Sequence, residues 1–289
     1  MWQYLNLLEN ILENGQERKD RTGVGTISLF APEPLRFNLQ EGFPIVTTRK
    51  MFWKGMVREL LFFLSGKTNL KDMHPSIHHW WKPWANSDGE LKNIYGTLFR
   101  NFGEFKEIVN GYDSSCGMFC EHEQIKVKGV DQIKSVIDSI KTDPFSRRHI
   151  ISIWNPLVLN NICLPACHSN FIQFYVESNG KELSCLTMNR SQDVFYGTVA
   201  NASMISLLLS MIAHVCDLVP KNLTIFMGDA HLYINQIPMV EEQLKRVPLP
   251  LPKLFLNVAI NDIDKFQEND IMLLDYQHHP PIKGPNLAI

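Results

Sequence analysis

One stretch near the middle of the chain concentrates residues that could hold a phosphorylated ligand. The sequence "NRSQDVFYGTVAN" covers residues 189–201 and combines an arginine, a hydroxyl group, a carboxylate and an amide. Arg190 and Ser191 suit a phosphate, because a guanidinium group can donate to two phosphate oxygens at once. Asn201 could read the edge of a base, since its amide both donates and accepts hydrogen bonds. The stretch therefore predicts a nucleotide-like ligand.

A thiol and a carboxyl group elsewhere in the chain could act on such a ligand. Cys167 precedes His168 in "LPACHSN", at a turn from which a thiol could attack an electrophilic carbon. A Cys-His pair alone is more often structural than catalytic. Glu59 stands among apolar residues in "GMVRELLFFLSG". It either pairs with a cation such as Arg58 or has a raised pKa and moves protons.

Further cations and polar side chains could line the same site. Arg147 and Arg148 are adjacent in "DPFSRRHI", at the expected start of a strand, and Arg21 lies in the glycine-rich "DRTGVGT". Solvated surface charge is the plain alternative for each. His231 and Tyr233 are two residues apart in "GDAHLYINQ", so on a strand they would share one face.

The aromatic segment "HHWWKPWANSDGELKNIYG" contains Trp81, Trp84 and Tyr95, which could flank a flat ligand or belong to the core. The spacing in "CGMFCEH" could supply half a metal site, but further ligands at a recognisable spacing are missing, so we predict no metal.

The bulk composition limits the class of protein. A net charge of -2 and a pI near 6.5 exclude a generally basic nucleic-acid-binding surface. Six cysteines without a secretion signal predict reduced thiols and a cytoplasmic location. By this reading no stretch approaches the ~18 apolar residues of a membrane span, so we expect no membrane partner.

The pattern of apolar residues predicts mixed helices and strands. Helical periods occur at the N-terminus and in "WKGMVRELLFFLSG", "VDQIKSVIDSIK" and "NASMISLLLSMIAHVCDL", with Asn201 expected near the N-cap of the last. Strands are expected in "GTISLF", "PLRFNL", "RRHIISIWN", "NFIQFYVES" and "ELSCLTM". Without regular βαβ alternation, α+β is the predicted fold class. We expect one domain over 1–289, with an irregular surface insertion around 101–130.

Several motifs occur together in an order that identifies a family resemblance. These are "DRTGVGT", "FNLQEGFPIVTTRK", "RELLFFLSGKTNL", "SRRHIISIWNP", "LPACH", "RSQDVFYG", "GDAHLYINQ" and "HPPIKG". The chain resembles the thymidylate synthase family of pyrimidine nucleotide C5 one-carbon transferases. The resemblance implies a large mixed sheet covered by helices and a homodimer formed through the sheets. It also implies 5,10-methylenetetrahydrofolate as co-substrate and no metal.

The resemblance assigns roles to the residues singled out above. Cys167 would add to C6 of the pyrimidine, with His168 and Asn201 supporting charge at O4. Glu59 and Tyr95 would organise the water that removes the C5 proton. The substrate would be held by Arg21, Arg190, Ser191, Asp193, Asn201, His231 and Tyr233, together with Arg147 and Arg148 of a partner subunit. The folate would contact Trp81, Trp84, Asp193, Tyr196, Gly197 and Ala288.

The base and the product are separate questions. The amide of Asn201 can donate to O4 and accept from N3–H, which favours dUMP over dCMP, since relatives acting on dCMP carry an aspartate here. Synthases usually read "QRS" and "LGLPFN", where this chain has Asn189, Tyr196 and the pair Val199–Ala200. "KNIYGTLFR" replaces the usual "GPVYGxQWR", Phe52 replaces a histidine after "TTKR", and the tail is one residue longer.

These departures lie mostly on the folate side and predict a deoxyuridylate hydroxymethylase like those of phages with modified DNA. Such an enzyme would make 5-hydroxymethyl-dUMP. The alternatives are a divergent thymidylate synthase making dTMP and dihydrofolate, a dCMP hydroxymethylase, and a catalytically silent nucleotide- or RNA-binding relative. No nucleic acid is required by the leading interpretation.

Overall fold

The helices and strands follow the apolar periodicity of the sequence closely. A computed structural model describes residues 1–103, 105–113, 118–127 and 129–284. Its α-helices are α1 (Trp2–Asn14), α2 (Trp53–Leu64), α3 (His78–Trp81), α4 (Tyr95–Arg100), α5 (Gln132–Thr142), α6 (Gly197–Val215) and α7 (Ile237–Leu244). Its strands are β1 (Gln16–Arg18), β2 (Thr26–Phe30), β3 (Leu35–Asn38), β4 (Phe105–Asp113), β5 (Met118–Val127), β6 (Ile150–Ser152), β7 (Phe171–Val176), β8 (Glu182–Asp193), β9 (Val219–Tyr233), β10 (Lys253–Leu256) and β11 (Ile271–Leu274).

A seven-stranded mixed sheet is the frame of the fold. Its order is β1-β2-β9-β8-β7-β6, and β3 pairs with the first half of β9. The long strands β8 and β9 run parallel, because α6 carries the chain between them, while the other pairs in this sheet are antiparallel. The α+β class with a large mixed sheet is confirmed.

The parallel pair brings polar residues to one edge of the sheet. β8 ends at Asp193 and β9 at Tyr233, and Asp193 lies directly opposite His231. On β2, Ser28 faces His231 from the other side. Residues far apart in sequence therefore meet where these strands end.

One face of the sheet is covered and the other is open. The apolar helix α6 is almost entirely buried against the covered face, with α1 and α2 completing that layer. On the opposite face, Tyr175, Met188 and Phe226 are 55%, 49% and 40% exposed. Exposed apolar residues on neighbouring strands of one sheet face are typical of an interaction surface.

Two expectations about elements need correction. The 101–130 segment was expected to be irregular, but it contains the antiparallel pair β4 and β5, which forms a separate sheet. Helix α6 is long and apolar enough to pass a length-and-composition test for a membrane span, against expectation, but its side chains are buried in the core.

Candidate active site

Cys167 lies in a turn before β7, and its position is fixed by two backbone hydrogen bonds. The Cys167 amide donates to the Tyr95 hydroxyl at 3.2 Å, and its carbonyl accepts from the Ser191 amide at 3.2 Å. The Tyr95 hydroxyl also lies 3.7 Å from the Cys167 Sγ. The thiol, α4 and the end of β8 therefore converge on one point.

Tyr95 is the centre of an aromatic stack beside the thiol. Its ring stacks on Phe63 at 5.1 Å and on His168 at 4.6 Å between centroids. Burial raises the pKa of Tyr95 well above its usual range, as does the neighbouring Cys167, so the phenol keeps its proton. Burial lowers the pKa of His168 to about 4, so its imidazole is neutral near pH 7 and bonds to the Ser169 hydroxyl at 3.0 Å.

Glu59, which lies on α2, is close to the same group of aromatic side chains. Its carboxylate accepts a 2.6 Å hydrogen bond from the Trp81 indole, and burial raises its pKa to about 7 despite that bond. The proposed partner Arg58 is wrong, because its guanidinium binds Glu268 in two hydrogen bonds of 2.6 and 2.9 Å. Glu59 is thus a carboxyl group that can gain or lose a proton near neutrality.

A buried amide network positions Asn201. Gln192 Oε1 accepts from Asn201 Nδ2 at 3.3 Å and from Asn189 Nδ2 at 2.7 Å. The side-chain oxygen Oδ1 of Asn189 in turn accepts from the Ser169 backbone amide at 2.7 Å. A Cβ at Gly197 would come within 2.5 Å of Gln192 Nε2, so this glycine makes room for the network.

Asn201 is not at the N-cap of α6, as expected from the sequence. The helix begins at Gly197 with Tyr196 as its N-cap, which places Asn201 one turn inside. The side-chain amide of Asn201 therefore does not cap the helix. It donates to Gln192 instead.

Arg190 points toward the turn that carries the thiol. It donates to the carbonyls of Ala166 at 2.8 Å and Pro165 at 3.0 Å, and its guanidinium lies 5.4 Å from the Trp154 ring centroid. Arg21 is exposed and lies over the Trp84 ring at 5.9 Å. These contacts place two cations at the edge of the site.

Arg147 and Arg148 precede β6, which begins only at Ile150, rather than starting the strand. Both are exposed at the far edge of the sheet. In the single chain, the Arg147 carbonyl accepts from Gln173 Nε2 at 3.4 Å and the Arg148 carbonyl accepts from the Ile150 amide at 2.8 Å. The sequence prediction that they serve a partner subunit stays a prediction.

Asp193 and His231 face each other across the ends of β8 and β9. The Asp193 carboxylate accepts from the Tyr196 amide at 2.9 Å and from Gln236 Nε2 at 2.8 Å. Burial raises the pKa of Asp193, and these donors partly oppose that shift. His231 Nδ1 lies 3.0 Å from Asp229, whose pKa it lowers.

Tyr233 shares a strand face with His231, as predicted, with its ring 5.4 Å from the imidazole centroid. Burial raises the pKa of Tyr233, and Asp193, Arg21 and Cys167 all act electrostatically on its phenol.

The Tyr196 hydroxyl contacts Met239 Sδ at 3.6 Å, and the Tyr196 ring packs on Phe195. Ala288 lies outside the described residues. Within the described part of the chain, no group of three or more His, Cys, Asp or Glu side chains gathers as a metal site.

Sequence reasoning missed several positioning residues. Gln192 and Gln236 hold Asn201 and Asp193, and Asn170 bonds to both Ala166 and the Arg190 amide. Gln192 is 2% exposed, so a polar residue at a buried position of a strand pattern was the available signal.

Comparisons with known proteins identify the family of the chain. The family model described as "Thymidylate synthase" matches residues 2–288. The chain belongs to the thymidylate synthase family. It is 42% identical over 295 residues to "Bifunctional dihydrofolate reductase-thymidylate synthase" of Zea mays, covering 98% of this chain and 53% of the relative. It is 41% identical over 295 residues to "Putative bifunctional dihydrofolate reductase-thymidylate synthase" of Oryza sativa subsp. japonica, covering 98% and 56%.

The chain thus spans about half the length of the curated relatives it matches. Members of the family are one-carbon transferases that are generally dimeric and use nucleotide and folate substrates.

Proposed function

We propose that the chain transfers a one-carbon unit from 5,10-methylenetetrahydrofolate to C5 of dUMP, forming dTMP and dihydrofolate. The observation that supports this most is the convergence on Cys167 of Tyr95, His168 and the Asn201 network. A nucleophile, neutral hydrogen-bonding groups and an amide suited to a base then share one site. The names of the relatives favour the methyl product over the hydroxymethyl product expected from the sequence.

The residues divide the reaction between them. Attack of Cys167 Sγ on C6 forms a C–S bond and pushes electrons onto O4, where Asn201 and a water near His168 donate. The electron pair then returns to C5, which bonds the one-carbon unit. Removal of the C5 proton uses water held by Glu59 and Tyr95. The folate would supply the one-carbon unit and, for a methyl product, the hydride that reduces it. The bond between that carbon and the folate nitrogen breaks as the C5 proton leaves, and the C6–S bond to Cys167 breaks as the hydride arrives, which releases the thiolate and the nucleotide product.

The substrate contacts follow the same division. We assign the phosphate to Arg21, Arg190 and Ser191, with Arg147 and Arg148 from a partner subunit, because several guanidinium groups suit one dianion. His231 and Tyr233 share a strand face and would donate to the deoxyribose hydroxyl. Asp193, Trp81, Trp84, Tyr196 and Gly197 would line the folate half. The location of the enzyme would be cytoplasmic, which a tagged chain would test.

A hydroxymethylase is the second candidate, because of one contact. Tyr196, at the position where synthases read leucine, packs between Phe195 and Met239 on the folate side. A repacked wall that admits water would give a hydroxymethyl product, whereas hydride transfer needs the folate to stay stacked on the nucleotide.

Product identity decides between them. Purified chain would be incubated with dUMP and methylenetetrahydrofolate, with the nucleotide identified by mass spectrometry and dihydrofolate followed by absorbance. We expect dTMP and dihydrofolate in equal amounts. Hydroxymethyl-dUMP with no dihydrofolate would establish the hydroxymethylase instead, and no nucleotide product would contradict both.

A further inference from the structure

Arg49 is a buried cation beside the turn that joins β8 to α6, and its role is not covered by the assignments above. It is only 4% exposed. Its Nε atom has no hydrogen-bond partner among the residues that the structure describes. Burying a guanidinium group that is incompletely hydrogen-bonded costs free energy, so a gain elsewhere must offset it.

The guanidinium group contacts the turn in three ways. Its NH2 group donates to the Phe195 carbonyl, which also accepts from the Tyr4 hydroxyl. Its central carbon lies 3.8 Å from the Phe195 ring centroid and 5.5 Å from the Tyr196 ring centroid. Cations within ~6 Å of an aromatic centroid are attracted to the ring. One planar cation therefore holds two consecutive aromatic side chains.

The same turn carries Asp193, whose carboxylate accepts from the Tyr196 amide. Arg49 and His231 are the cationic or potentially cationic groups that favour the charged form of Asp193, while burial opposes it. The other titratable groups that interact with this carboxylate are tyrosines, namely Tyr4, Tyr196 and Tyr233. Fixing the turn therefore also fixes the carboxylate.

We propose that Arg49 is a positioning residue that clamps the Asp193–Tyr196 turn and so shapes the folate half of the site. This inference rests on the proposed function. A planar guanidinium stacks on aromatic faces better than an ammonium does. Arg49→Lys would therefore keep the charge but lose part of the contact with the Phe195 and Tyr196 rings.

The test compares Arg49→Lys and Arg49→Met with Lys50→Met, which removes the adjacent exposed cation. We expect Arg49→Lys to raise the KM for methylenetetrahydrofolate about tenfold and the KM for dUMP less than about twofold. Lys50→Met should change neither. The pKa of Asp193, followed by carbon NMR of labelled aspartate and assigned with Asp193→Asn, should rise in Arg49→Met and rise less in Arg49→Lys, which keeps the charge.

The outcomes separate this inference from the proposed function. An active wild-type enzyme whose folate KM and Asp193 pKa are unchanged in both variants would overturn the role of Arg49 alone. Parallel increases in both KM values with a lowered Tm would show a merely structural role and would also overturn it. If wild type makes no product, the proposed function fails, and the Asp193 titration still decides whether Arg49 acts on the turn.

Discussion

Three titratable side chains near Cys167 are held in states that suit different tasks. The pKa of His168 is lowered to about 4, so it serves as a neutral hydrogen-bonding group. The pKa of Tyr95 is raised, so its phenol remains a donor. The pKa of Glu59 is raised to about 7, which is near the value that suits proton transfer at neutral pH. Burial is the leading cause in all three.

Replacing the thiol tests the nucleophile directly. Cys167→Ser should lower kcat by at least about 10³-fold, because the hydroxyl is a far weaker nucleophile, while dUMP binding persists. Product formation and binding by calorimetry would be measured together. Cys163→Ser is the matched control, since this half-buried thiol has a pKa raised to about 11. Equal loss in both variants would argue against Cys167 as the nucleophile.

Glu59 should control the pH dependence of the reaction. If its carboxylate form organises the water, kcat should fall as pH drops below about 7, following its pKa. Glu59→Gln should be slow and lose this dependence. A wild-type profile that is flat between pH 6 and pH 8, roughly one unit on each side of that pKa, would contradict the assignment.

The same pKa makes a prediction about stability. Because the folded-state pKa of about 7 lies above the ordinary value of 4.5, the folded protein binds the extra proton, and Glu59 destabilises it as pH rises between these values. Glu59→Gln should therefore raise the free energy of unfolding by on the order of 3 kcal/mol at pH 8 but not near pH 4. Denaturant unfolding at both pH values would show whether the gain disappears in acid.

At the scale of elements, β8 organises the site. Its buried positions carry Asn189 and Gln192, while Arg190 and Ser191 contact the turn around Cys167. One strand thus links the thiol turn to the amide of Asn201 on α6. A small shift of β8 would therefore move Arg190, Ser191 and the Asn201 amide together.

Removing the centre of the amide network tests this linkage. Gln192→Ala should leave the Asn189 and Asn201 amides without their shared acceptor, raising the KM for dUMP about tenfold and destabilising the fold by about 1–3 kcal/mol. Gln40→Ala is the control, because it removes an exposed amide that bonds Glu182. An unchanged KM in Gln192→Ala would mean that Asn201 does not need this support.

At the scale of the molecule, the open face of the large sheet exposes apolar side chains to solvent. Tyr175, Met188 and Phe226 are exposed on the central strands, opposite the helical layer. Arg147 and Arg148 are exposed at the edge strand of the same sheet. A dimer formed through this face would bury the apolar residues and bring the arginines to a neighbouring site.

Mixing two inactive variants tests whether sites are shared. Equal amounts of Cys167→Ser and Arg148→Ala, allowed to exchange subunits, should recover about a quarter of wild-type activity, because half of the dimers would be mixed and each would have one intact site. Cys167→Ser mixed with Glu59→Gln should not recover, since both changes lie in one chain's half of the site. Failure of the first mixture to recover would place Arg148 outside the partner's site.

The sequence predicted most elements, because apolar periodicity reports which face of a helix or strand is buried. It could not predict that β2 and β3 both pair with β9, or that the 101–130 segment contains two paired strands. Strand pairing depends on partners distant in sequence, and local patterns contain no record of them.

The sequence by itself determined the family and the residue types proposed to do the chemistry, since a thiol, arginines and an amide have fixed chemical capacities wherever they lie. The tertiary structure decided their surroundings. Glu59 pairs with Trp81 rather than Arg58, Gln192 holds Asn201, and Arg49 stacks on Phe195. Those contacts and the pKa shifts arise from burial and close approach, which exist only once the chain has folded.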